Sequence, residues 1–293
     1  MGQPACRRRP LTPDTDPDQL TALSIGPLVT AGQLEEMADN LVLCDVRWYL
    51  DGSSGYEAYL RGHIPGAVFV DLDSDLAGAP STTDGRHPFP SAEVFATSLG
   101  VLGIGSDNTV VAYDDSGGLS ASRMVWMLRM LGQPAALLDG GLAAWSGPLQ
   151  TEVALLAPVD CLVRPWPGIS LVEADDLGGA GLVLDARSGE RYRGDIEPMD
   201  KRAGHVPGAV NAPFEQNMVD GRFKSTDDLM AHYESLGVSD AADVVLYCGS
   251  GVSACHDLLA MEYSGLGRGR LYVGSWSQWS ASDRPAATGP EPG

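Results

Sequence analysis

The chain has 293 residues, 44% hydrophobic and 20% charged, with 39 acidic against 19 basic side chains and a formal net charge of −20. That length exceeds one ordinary core and suits two domains. The acidity argues against nucleic acid or an anionic membrane surface as a partner, since both demand a positive face, but a local arginine cluster could still hold a small anion.

The first 24 residues carry Arg7, Arg8 and Arg9 with no apolar stretch behind them, then a Pro/Asp-rich run. A disordered N-terminal segment without a signal peptide is expected. No apolar run anywhere approaches the roughly 18 residues of a membrane span, so no membrane partner is expected. From residue 25 to 147 short apolar runs alternate with helix-like segments: "LVLCDVRW" from Leu41, "RGHIPGAVFVDL" from Arg61, "NTVVAYDDSGGLSA" from Asn108 and "LLDGGLAAW" from Leu137. Residues 148–167 hold Pro148, Pro158, Pro165 and Pro167 and read as a linker, since proline interrupts helices and central strands.

From 168 to 285 the same four blocks return in the same order, about 140 residues on: "GLVLDARS", "RAGHVPGAVNAPF", "ADVVLYCGSGVSA" and "LYVGSWSQW". Four ordered matches indicate a tandem duplication. Within the second copy "LVLDAR", "VVLYC" and "RLYVG" read as buried strands, and "SACHDLLAMEYSGL" as a helix stopped by Gly265. Strands separated by helices predict an α/β fold, two domains in tandem, each a parallel sheet with helices on both faces. Residues 286–293 are expected to be a frayed tail.

Cys248 ends a strand and begins the loop Gly249, Ser250, Gly251, Val252, Ser253. In such sheets ligands bind at the carboxyl ends of strands. Glycines let successive N–H groups turn toward one point, and the next helix adds its own unpaired donors and dipole. A thiol there is placed to ionise. Cys6, Cys44, Cys161 and Cys255 read as ordinary packing cysteines. Five scattered cysteines give neither a disulfide framework nor a metal clip, so a reducing, cytoplasmic setting is expected, with no metal. A cysteine phosphatase would need an arginine six positions after Cys248, where Ala254 stands.

The loop "CGSGVSA" resembles the C-G-S-G-V-T-A loop of the mercaptopyruvate-using group of the two-domain rhodanese family, and "HIPGA", "HVPGA", "DGGLAAW" and "GSWSQW" resemble that family's flanking blocks, over roughly residues 25 to 285. The resemblance implies a pair of rhodanese-like domains. It implies a sulfurtransferase in which Cys248 takes a sulfane sulfur from a small anionic donor, 3-mercaptopyruvate, and passes it as a persulfide to a thiol (thioredoxin or a small thiol) or to cyanide, with no cofactor. Thiosulfate is the alternative donor, although thiosulfate-specialised loops carry cations where Gly249 and Ser250 stand here. A non-catalytic binding module is a further alternative. Asp114 falls opposite Cys248, so the first copy is expected to be degenerate, with one active site per chain. By the same resemblance Ser250, His87 and Asp73 match a proton relay. A solvent-exposed loop role for His87 and a helix N-cap for Asp73 are the competing readings. Arg191 matches the first cation for the donor carboxylate and Arg202 the second, with Lys201 as competitor. Arg187 reads as the partner of a strand-end acid, Asp185 or one of the Asp45 type, and Arg193 as a surface residue. Ser253 and Gly274 depart from the family's usual Thr and Asp.

Overall fold

The computed structural model describes residues 25–37 and 40–293. The expected N-terminal disorder and Cys6 lie outside these residues. The first half is ordered as β1 (Leu28–Val29), α1 (Ala31–Glu36), β2 (Leu41–Asp45), α2 (Gly55–Arg61), β3 (Val68–Phe69), α3 (Ala92–Val101), β4 (Thr109–Tyr113), α4 (Ala121–Met130) and β5 (Ala135–Leu138). The second half runs β6 (Leu182–Asp185), α5 (Gly189–Arg193), β7 (Val210–Asn211), β8 (Met218–Val219), β9 (Arg222–Phe223), α6 (Thr226–Ser235), β10 (Val244–Tyr247), α7 (Ala254–Ser264), β11 (Arg270–Leu271) and α8 (Ser275–Ala281). Gly265 ends α7 in the left-handed conformation, φ 86°, where a residue without Cβ fits best.

The strand orders are β1-β5-β4-β2-β3 and β11-β10-β6-β7, with every neighbour in these two sheets parallel. Read from β5 and from β11 the two sequences coincide, which is the duplication expressed as topology. Both faces of each sheet are covered, and the strands are therefore apolar on both sides. Val42, Cys44, Val110 and Ala112 face a core that also contains Phe95 and Leu99 of α3 and Met124 and Leu128 of α4. Leu43, Val111 and Ala136 face the opposite way, toward Leu34 and Ile64. In the second sheet Val244 and Leu246 join the first of these cores, while Val245 and Tyr247 pack with Tyr272, Trp276 and Trp279. One hydrophobic core thus runs through both domains where α4 meets α7.

The duplication extends to buried polar detail. Arg47 grips Asp45 and donates to the Gly62 carbonyl at 2.8 Å; Arg187 grips Asp185 and donates to that of Gly204 at 2.7 Å. His63 stacks on Tyr59 and His205 on Tyr192, each with Nδ1 on the tyrosine's carbonyl. The proline-rich segment between the halves is draped over the first domain: Val159 N–H reaches Gly100, Arg164 the Leu131 carbonyl, and Trp166 Nε1 that of Pro90. The expectation of a frayed tail is overturned. Ala287 pairs antiparallel with His205, and the Pro292 carbonyl accepts from Gly208 N–H, so the last residues cover the His205 turn.

Candidate active site

Cys248 follows β10 at the carboxyl edge of the second sheet and is buried, 2% exposed. Its Sγ accepts from the N–H of Gly251 at 3.1 Å, and its own N–H donates to Ser275 Oγ at 3.2 Å. The loop carbonyls of Cys248 and Gly249 are taken by the N–H groups of Trp276 and Ser277 at the start of α8. Gly251 sits at φ 74°, and a Cβ added there would stand 2.7 Å from the Val273 carbonyl and 3.1 Å from Arg123 Nη1. Only glycine fits that turn. The N–H groups of Gly249, Ser250, Val252 and Ser253 have no acceptor among the described residues, so the loop keeps donors for an incoming anion.

The first domain shows what this cradle does when filled. Asp114 occupies the cysteine's place, and its buried carboxylate accepts from the N–H groups of Ser116, Gly118, Ser120 and Ala121 at 2.8–2.9 Å. Its Oδ2 also takes the Ser120 hydroxyl at 3.1 Å. A side chain that satisfies its own nest leaves nothing for a ligand.

Ser250, His87 and Asp73, scattered in sequence, are brought together. Ser250 Oγ is 2.7 Å from His87 Nδ1, and His87 Nε2 is 3.1 Å from Asp73 Oδ1. Asp73 Oδ2 accepts from Trp48 Nε1 at 3.1 Å, and the Trp48 ring meets His87 edge-on. His87 is 9% exposed, so it is no surface-loop histidine, and Asp73 serves the imidazole rather than a helix end. Burial first, and then the charge of Arg123, push His87 down to about 4, against an opposing pull from Asp73. The imidazole is neutral at pH 7. With the Nε2 proton on Asp73, Nδ1 is left to accept from the serine hydroxyl.

Arg191 lies at the loop, where a Cβ added to Gly249 would stand 3.3 Å from its Nη1. It pairs with Glu197 at 2.7 Å and Asp200 at 3.3 Å. Arg202 corrects the sequence reading. Its guanidinium donates to the carbonyls of Trp279, Ser280, Ser282 and Arg284 at 2.9–3.0 Å and so caps the end of α8. With those nitrogens spent on backbone, Arg202 is a structural residue. Arg187 is held by Asp185, one of the strand-end acids expected for it, and Arg193 pairs with Asp195 at the surface. Gly274, where the family often has Asp, makes room for Gln278, whose side chain bonds Tyr272 Oη and the Thr83 carbonyl of the first domain.

Two cations at the site escaped the sequence reading. Arg123 of α4 is wholly buried, donating to the carbonyls of Gly251 at 2.8 Å and His87 at 2.9 Å. Its guanidinium lies 4.2 Å from the Phe89 ring centre. Burial pushes it down to about 10, still well above neutrality. Arg86, the neighbour of His87, places Nη2 3.0 Å from the same added Cβ at Gly249. The position beside His87 was the only signal for Arg86, and Arg123 left none.

The rhodanese-like domain family matches residues 30–148 and 170–282. A probable 3-mercaptopyruvate sulfurtransferase of Pseudomonas aeruginosa is 41% identical over 283 residues, spanning 91% of this chain and all of that protein. A Mycobacterium tuberculosis protein provisionally named a thiosulfate sulfurtransferase, SseB, is 39% identical over 285 residues, 89% of this chain and 97% of that one. Among solved structures, the 3-mercaptopyruvate sulfurtransferase SseA of Escherichia coli superposes with a TM-score of 0.76 at 30% identity, covering 86% of this chain and 99% of that one.

Proposed function

The chain belongs to the rhodanese family and is a sulfurtransferase, and from that premise we propose that Cys248 accepts sulfur from 3-mercaptopyruvate and hands it to a thiol. The observation that carries the choice of donor is the 2.7 Å contact of Ser250 Oγ with the buried, neutral His87 in a loop that holds no cation of its own. Both donors carry an anionic group that guanidiniums beside the loop can meet, so charge alone does not choose between them. Mercaptopyruvate also needs proton management as a carbon–sulfur bond breaks, and the serine–histidine–aspartate chain is placed to provide it.

The steps balance as follows. The Cys248 thiolate attacks the donor sulfur; the sulfur–carbon bond breaks and its electron pair stays on carbon as the pyruvate enolate. The proton of the donor thiol moves through Ser250 and His87 and returns to that carbon, giving pyruvate. Cys248 is left as a persulfide, stabilised by the Gly251 N–H and the free N–H groups of the loop. An acceptor thiolate then attacks the outer sulfur, the disulfide-type bond breaks, and the Cys248 thiolate is regenerated. The acceptor is a small thiol, a thioredoxin-type dithiol or cyanide. Cys44, Cys161, Cys248 and Cys255 are all free, in keeping with a reducing, cytoplasmic setting, and no described helix is long and apolar enough to cross a membrane.

Initial rates with 3-mercaptopyruvate and thiosulfate, side by side with one thiol acceptor, test the reading, with Cys248→Ser as blank. Mass spectrometry after donor alone should show a gain of about 32 Da, one sulfur, in the wild type and none in the variant. Turnover by Cys248→Ser would remove the cysteine from the mechanism. Faster turnover with thiosulfate would assign the donor grip to the arginines rather than to the loop.

A further inference from the structure

The Cys248 loop lies at the carboxyl edge of the second sheet. A separate cleft opens at the opposite edge, where both domains and the segment between them meet. Trp126 and Met130 of α4 line it from the first domain, Ile169 from the connecting segment, and Arg270 at the start of β11 from the second domain. The cleft measures about 460 Å³, within the range of small-ligand sites, which favour domain seams. It is not the cysteine site. Asp243, on its rim, precedes β10 and Cys248 follows that strand, so the thiol is roughly 15 Å away at about 3.3 Å per strand residue.

Its charge is not balanced from within. Glu262 Oε1 is shared by Arg129 at 2.6 Å and Arg268 at 2.7 Å, so that carboxylate is already used twice. Arg86, Arg123, Arg129, Arg191 and Arg202 all hold carboxylates or carbonyls. Arg270 holds neither among the described residues, and its Nε is buried without a partner. Asp243 is exposed and makes no ion pair with it. Trp126 is only 6% exposed, and its Nε1 also has no acceptor among the described residues. Two donors without acceptors, one from each domain, thus line one cleft, where sheltered donors ordinarily have partners. Around them the surface is apolar: the Trp126 ring, Met130, and Ile169 at 68% exposure. A cation and a neutral donor beside an apolar wall suit a small molecule with a flat or branched body and one acid group.

We propose that this cleft is a second ligand site, apart from the cysteine, which takes an amphipathic organic anion with its acid group on Arg270 and its body against Trp126, Met130 and Ile169. The proposal goes beyond the sulfur chemistry and does not depend on it. Such an anion touches both domains, beside the Arg129–Glu262 pair that already joins α4 to α7.

The test is fluorescence titration of the full chain, residues 1–24 included, with 8-anilinonaphthalene-1-sulfonate and with N-phenyl-1-naphthylamine, the same rings without the sulfonate. The wild type should bind the sulfonate saturably, at one site per chain, and more tightly than the amine. Arg270→Gln should weaken the sulfonate about ten- to a hundredfold, the range of one lost charge-assisted contact, and leave the amine unchanged. Its urea midpoint should match the wild type, since the guanidinium holds no described group of the protein. Ile169→Glu, at an exposed position, sets a like charge against the probe and should weaken the sulfonate about threefold or more. Arg191→Gln, at the Cys248 loop, should leave sulfonate binding unaltered. Saturating sulfonate should raise the Tm of the wild type by more than that of Arg270→Gln. No saturable binding by the wild type, unaltered affinity in Arg270→Gln, an equal loss with the amine, or a loss in Arg191→Gln in place of Arg270→Gln overturns the proposal.

Discussion

Replacing Arg123 with methionine tests how the first domain supports the second domain's loop. The guanidinium is 0% exposed and bonds the carbonyls of Gly251 and His87 at 2.8 and 2.9 Å, with a longer contact of 3.3 Å to that of Leu76. Each charge-assisted bond is worth about 1.5–3 kcal/mol, and a buried carbonyl left without a partner costs about 1–3 kcal/mol. Against this, methionine removes the cost of burying a cation, which is several kcal/mol. The net destabilisation should be about 2–4 kcal/mol, or a fall in Tm of roughly 3–7 °C for a chain of this size. Activity should fall further than stability implies. Gly251 supplies the N–H on Cys248 Sγ, and a loop displaced by about 1 Å costs on the order of a hundredfold in rate. Urea unfolding at pH 7 and single-turnover persulfide formation measure the two effects separately. A variant with the wild-type urea midpoint and a persulfide rate within threefold would show that Arg123 is packing alone.

Ser250→Ala should lower kcat with 3-mercaptopyruvate about ten- to a hundredfold with little change in KM, since the hydroxyl acts on the moving proton rather than on binding; an equal loss in both constants would contradict the relay. His87 is held down to about 4 from 6.5, so its neutral form is the folded one. The stability it contributes is complete above pH 6.5 and is lost as pH falls through that window toward 4. The stability gap between wild type and His87→Gln should therefore narrow from pH 7 to pH 4.5, and a gap that stays constant would refute the assignment. Asp114→Asn would turn an amide NH2 toward N–H donors that now share one carboxylate oxygen, and should cost about 2–4 kcal/mol in urea unfolding. A loss below about 0.5 kcal/mol would mean the nest is not under that constraint.

The duplication, the parallel sheets and the Cys248 loop were legible because they are written in contiguous residues. "VVLYCGSGVSA" contains the strand, the turn glycines and the helix start, and local sterics decide its shape. The pairing of Arg187 with Asp185 was legible for the same reason, since two residues of separation at a strand end put both side chains on one side. Ser250, His87 and Asp73 came from resemblance, and their distances came from the packing of two domains.

Arginine fates were the part that sequence could not decide. Arg123, Arg86, Arg191 and Arg202 are chemically identical, and each long side chain reaches whatever its element faces. Arg202 meets the carbonyls at the end of α8, Arg123 is sealed between α4 and the loop, and Arg86 and Arg191 meet at one carboxylate. The sequence by itself determined that a cysteine would be held in a glycine turn at a strand end, because backbone sterics act over a few residues. The tertiary structure alone decided which cations surround it, because that depends on which two surfaces, about 140 residues apart in the chain, bury each other's charges.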